Sequence, residues 1–112
     1  MIFYNETYHV QEDIMQEWIQ WMVKTHLPNV LRTGYFTQGR VLRIQSDQDV
    51  GGYSFAVQLV AESQAILDEY KAKEEGRFHQ QHLEKYADKA LIFRTELHLV
   101  CEYHISDGTS KS

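Results

Sequence analysis

Residues 35–61, YFTQGRVLRIQSDQDVGGYSFAVQLVA, decide the fold. Two stretches in which side chains alternate, 35–45 and 53–61, flank SDQDVGG, and Gly51-Gly52 marks a hairpin loop. In the returning strand Tyr53, Phe55, Val57, Leu59 and Ala61 share one side, and Ser54, Ala56, Gln58 and Val60 the other. A central hairpin with one apolar side needs cover, and the neighbouring sequence supplies it in both directions.

Upstream, Ile14, Met15, Trp18, Trp21, Met22 and Thr25 recur at helical spacing, which predicts an amphipathic helix running to about His26. Asp13 is placed to cap it, with Gln16 three residues on. Leu27-Pro28 is expected to interrupt it, because the residue before a proline is pushed out of helical geometry. A further turn over 29–33 should stop at Gly34. Before the helix, residues 1–10 alternate, with Ile2, Tyr4, Glu6, Tyr8 and Val10 on one side. Downstream, Ser63 is a candidate N-cap for a helix carrying Ile66, Leu67 and Tyr70. Gly76 is expected to break or bend that helix, with a short continuation over 78–86. A last strand over 89–103 puts Leu91, Phe93, Thr95, Leu97, Leu99 and Cys101 on one face.

The order β-α-β-β-α-β with right-handed crossovers predicts an α+β, ferredoxin-like sandwich: an antiparallel sheet in order 4-1-3-2 with both helices on one face. One domain over 1–105 is expected, followed by a small, polar, flexible tail over 106–112 (SDGTSKS). The uncovered face of the sheet still presents large side chains, so a sheet-to-sheet homodimer is expected.

Lys and Arg number 11 against 16 Asp and Glu among 112 residues, a net charge of −5. That balance argues against nucleic acid or an anionic membrane surface as a partner. No apolar run approaches the roughly 20 residues that span a bilayer, and no leader pattern opens the chain, so a cytoplasmic location is expected. Cys101 is the single cysteine, which excludes an intrachain disulfide and a cysteine-based zinc site. No phosphate-binding glycine loop or nucleophile elbow is present, and neither a cofactor nor a metal is expected.

Residues 18–36, WIQWMVKTHLPNVLRTGYF, carry the pattern W-x-x-W-M-x-x-x-H-x-P-x-V-L-x-T-G-x-F. This resembles a family of short bacterial proteins known as domain of unknown function 4286. The likeness extends to I-x-Y-N-x-T at 2–7 and HLEKYADKALIFRT at 82–95. That family implies no activity. More loosely, a histidine at the end of helix 1 followed by Pro and Gly is similar to the dimeric α/β-barrel proteins. Those include cofactor-free antibiotic-biosynthesis monooxygenases and small isomerases. The resemblance implies a small aromatic or polyketide-like ligand between helices and sheet.

His26 borders the apolar face built by Trp18, Trp21 and Met22. Burial there would keep its ring neutral, as a general base or a hydrogen-bond donor to a ligand; alternatively it caps the helix end before Pro28. Trp18 and Trp21 are core residues, pocket walls, or both. His79 and His82 stand three apart with Glu75 one turn before, a pair that would need a third, distant ligand to hold a metal. His82, between Phe78 and Tyr86, can equally pack as a core or pocket residue. Arg94 on a sheet face needs a carboxylate such as Glu6, a dimer mate or an anionic ligand. Asp47 and Asp49 are read as a solvated hairpin tip, and Cys101 as a small buried apolar residue.

Two functions are compatible with these residues. In one, Trp18, Trp21, His26, Tyr35, His82, Phe93 and Arg94 surround a pocket for a small aromatic or apolar molecule. Cofactor-free oxygenase or isomerase chemistry would then use His26 as base and Arg94 or Tyr35 to steady an enolate. In the other, the same residues form the core and dimer interface of a non-catalytic interaction module.

Overall fold

In the computed structural model, which describes residues 1–45 and 51–105, four strands form one antiparallel sheet. They are β1 (Ile2–Gln11), β2 (Gln38–Ile44), β3 (Gly52–Ala61) and β4 (Ala90–His98), in order β2-β3-β1-β4. This is the ferredoxin-like order read from the sequence. Helices α1 (Met15–Trp21), α2 (Leu27–Arg32), α3 (Gln64–Lys73) and α4 (Glu75–Tyr86) make two arms over one face. The Asp47/Asp49 hairpin tip and the tail lie outside the described residues.

Register explains the faces. Tyr4 pairs with Leu59, Glu6 with Val57 and Tyr8 with Phe55 on one side of β1, while Glu6 pairs with Arg94 and Tyr8 with Ile92 on the other. These residues point at the helices, where Trp18 and Met22 fill the centre of the core. The Trp18 ring lies 5.0 Å from Phe55 and 5.2 Å from Tyr8. Each large apolar side chain buried this way contributes roughly 1.5–3 kcal/mol.

Several local expectations are corrected. Pro28 does not interrupt the first arm, since Leu27 keeps right-handed helical angles (φ −60°, ψ −46°). A π turn, Met22–His26, joins α1 to α2, and the Leu27 N–H reaches back five residues to the Met22 carbonyl. The wider turn makes room for a ring that would strike the preceding carbonyl of a regular helix. Asp13 caps nothing: it sits in a 3-10 turn, Glu12–Ile14, and its carboxylate accepts from Lys89 Nζ at 2.8 Å. Gly76 lies inside α4; the break falls at Glu74 (φ −122°), whose carbonyl accepts from the Arg77 and Phe78 amides and starts the next helix. The last strand ends at His98, opposite Ile2, the first residue of β1. Cys101 lies beyond that strand end and is exposed, not buried.

Ser63 does cap α3, accepting the Ile66 amide at 3.2 Å. Gly34 closes the first arm at φ +85°, a conformation only glycine adopts without penalty. Gly52 admits no side chain for a different reason, since a Cβ there would lie 2.2 Å from the Val10 carbonyl oxygen. The opposite face of the sheet has no helix. Leu42, Ile44, Leu91, Phe93 and Leu97 all stand exposed, Phe93 at 72%. Among the described residues no helix is long and apolar enough to cross a membrane.

Candidate functional site

Alternation on β1 and β4 aims Glu6, Tyr8, Ile92 and Arg94 at the helices, and α4 lowers His79 and His82 towards them. Tyr70 from α3, and Glu75 and Phe78 from α4, complete the ring, which His26 closes from the π turn. Together they enclose a cavity of about 10 Å³. A space of that size is about what one water molecule needs.

Charge enters this interior as one compensated group. Arg94 Nε donates to Glu6 Oε2 at 3.0 Å and lies 3.5 Å from Glu75 Oε1. Its Nη2 lies 3.0 Å from His79 Nδ1; because a guanidinium only donates, that ring nitrogen is the acceptor. Tyr8 donates to the second oxygen of Glu6 at 3.2 Å, and Tyr4 donates to Glu75. Burial raises the Glu6 carboxyl above the usual carboxylate range, and the facing Arg94 opposes that rise. For Arg94 burial acts downward, and the two carboxylates overcome it, leaving the guanidinium more firmly charged.

The two histidines beside this group are neutral at pH 7. Burial is the main cause in each case and lowers both His26 and His82 to about 4. Trp18 Nε1 donates to His82 Nε2 at 3.1 Å, and an indole cannot accept. The neutral His82 therefore carries its proton on Nδ1, so the helix-1 tryptophan fixes the tautomer of an α4 residue. The His26 ring lies 4.7 Å from that of Trp21, tilted by 34°, and meets Phe78 edge-on at 5.6 Å. Its Nδ1 is buried without a hydrogen-bond partner. The ring does not cap the helix end before Pro28, because the helix does not end there.

Outside the cavity, the two helical arms leave a surface groove of about 310 Å³. Trp21, Thr25, His26 and Asn29 form one wall, and Gln81, Glu84 and Lys85 the other. His26 thus borders both the interior cavity and the outer groove.

Of the residues singled out in the sequence, the structure brings together Trp18, Trp21, His26, His82 and Arg94. Two others lie elsewhere. Tyr35 sits at the rim of the second arm, donating to Glu69 at 2.9 Å, and Phe93 points away from the helices on the open face. Glu75, placed beside the histidine pair by the sequence, belongs to the cluster, and so does Tyr8, which the sequence reading does not single out. Tyr8 shares the inward register of Glu6, and that register is the signal that could have found it. Among the described residues no group of His, Cys, Asp and Glu has metal-binding geometry.

Comparison with known proteins fits this architecture. A solved ethyl tert-butyl ether D (EthD) family protein from Bacillus halodurans superposes with a TM-score of 0.65 at 18% identity, covering 89% of this chain and 100% of its own. HapK from Hahella chejuensis superposes at 0.67 with 9% identity, covering 95% of this chain and 99% of its own. At such identities the likeness is one of fold. No curated protein matches the sequence. Residues 1–100 match the family described as a domain of unknown function (DUF4286), and the chain belongs to that family.

Proposed function

We propose that the protein is a homodimer, joined through the open face of the sheet, in which each copy binds one small aromatic molecule between its two helical arms. The observation that carries the ligand is the position of His26. The ring borders a groove that carries Trp21 on the same wall among otherwise polar residues, and its buried Nδ1 has an unfilled hydrogen-bonding position. A planar aryl body would lie against Trp21, with an oxygen substituent directed at the imidazole. The groove volume is near the lower end of ligand sites, roughly 300 Å³.

Binding without turnover is the better-supported form of this reading. An imidazole lowered to about 4 is a poor base at pH 7, because an effective general base has a pKa near the working pH. Arg94 already faces two carboxylates, which leaves little positive charge to steady an enolate. A second reading, the non-catalytic interaction module, draws support from the smallness of the interior cavity, which admits a water but no aromatic ring.

The two tryptophans supply the test. Trp18 is fully buried and Trp21 lines the groove, so Trp18→Phe leaves a single reporter at the proposed site. Titration with 2-acetylnaphthalene should quench that fluorescence saturably, and His26→Phe should weaken binding about tenfold, the worth of one hydrogen bond of about 1.4 kcal/mol. Linear, non-saturating quenching in both proteins would favour the interaction module.

A further inference from the structure

We infer that residues 99–105 are an arm that pairs with the free edge of β2 in a second copy. This rests on the homodimer reading above. β4 loses its neighbour at His98, and among the described residues only one more backbone bond follows, from the Leu99 amide to the Met1 carbonyl. The sequence nevertheless keeps strand character: LVCEYHI contains Val100, Tyr103 and Ile105, residues that favour pleated, half-buried surfaces. In this chain those three are 95%, 91% and 97% exposed. Large apolar side chains grouped on one segment and exposed to this degree mark a contact surface.

The matching surface is β2. Among the described residues strand order leaves its outer edge free, whereas the other outer edge belongs to β4, the strand from which the arm departs. An unpaired edge is a template for another strand. The β2 sequence, QGRVLRI, carries Arg40 and Arg43 and no acidic residue, while the arm carries Glu102. The arm cannot serve its own β2 well. It starts three strand spacings away, roughly 14 Å, and crossing that distance would use more than half of the roughly 23 Å that seven extended residues reach. In a twofold dimer the exchange is reciprocal, each arm taking the partner's edge, and the pairing extends the open-face contact sideways.

The test uses the full chain and the variant V100D/Y103D/I105D, whose side chains make no contact that folding of the single chain requires. Sedimentation velocity measures assembly, circular dichroism confirms that the variant keeps its fold, and amide hydrogen exchange reads residues 40–44. The inference predicts a dimer for the unchanged chain, at least tenfold weaker association for the variant, and faster exchange of the β2 amides in the variant. A dimer of equal strength in both proteins overturns the arm while leaving the homodimer intact. Weaker association with unchanged β2 exchange also overturns it, by placing the arm elsewhere. A monomeric unchanged chain removes the homodimer reading and the arm with it.

Discussion

The two faces of the same sheet obey different rules. On the helix side even the charges are satisfied: Glu6 is held by Arg94 and Tyr8, and His82 accepts from Trp18. On the open side Leu91 and Phe93 stand 55% and 72% exposed with nothing above them. Neighbouring residues of one strand, Phe93 and Arg94, belong to opposite regimes only because the pleat sends them to opposite faces. The helix side buries its apolar side chains and pairs its charges within one chain, leaving His26 Nδ1 and the Tyr86 hydroxyl without partners among the described residues. The open side leaves large apolar side chains exposed.

The comparison breaks most visibly at Arg94. Arg94→Met leaves Glu6 buried without its partner and should lower unfolding free energy by about 3–5 kcal/mol in urea titrations at pH 7. The deficit should shrink under acid, where Glu6 takes up a proton and no longer needs the guanidinium.

Acid titration of the unchanged protein is the next largest effect. His26 and His82 are lowered from 6.5 to about 4 in the folded chain, so between those values the unfolded chain binds more protons. Their contribution is complete above pH 6.5 and is lost progressively as pH falls towards 4. Unfolding curves across that window should show the decline, and His82→Gln should flatten it.

Ala87 offers a smaller, opposite effect. It turns α4 into β4 at φ +51° and ψ −129°, a conformation that L side chains rarely adopt. Ala87→Gly should raise the thermal midpoint, with a gain of about 1 kcal/mol.

The smallest effect on folding is expected on the open side. Phe93→Ser should change single-chain stability by no more than about 0.5 kcal/mol while weakening self-association. A large loss of intrinsic folding stability there would mean that the two faces are not distinct.

The parts of this comparison that follow from period were legible in the sequence. Alternation in β1 and β3 assigned each side chain to its face, and Ser63 and Gly34 marked the helix ends where the structure has them. The ion pair of Glu6 and Arg94 was also readable, since a carboxylate in the apolar register of β1 needs a cation on the next strand. What escaped depends on contacts between distant elements. Lys89 takes the Asp13 carboxylate away from the helix end, and a π turn, which leaves no mark on apolar spacing, carries the chain through Pro28. β4 stops opposite the first residue of β1, although its own sequence stays strand-like to Tyr103. The cavity's size depends on how ten side chains from several elements close together, and that is invisible to a one-dimensional pattern.

The proposal that ties the two faces together is that the helix side packs within one chain while the open side is covered by a second copy. Native mass spectrometry of the full chain at micromolar concentration tests it most directly. The account predicts a mass of two chains for the unchanged protein and one chain for Phe93→Glu, with the helical spectrum preserved. One chain for the unchanged protein, or an undiminished dimer for Phe93→Glu, would contradict it.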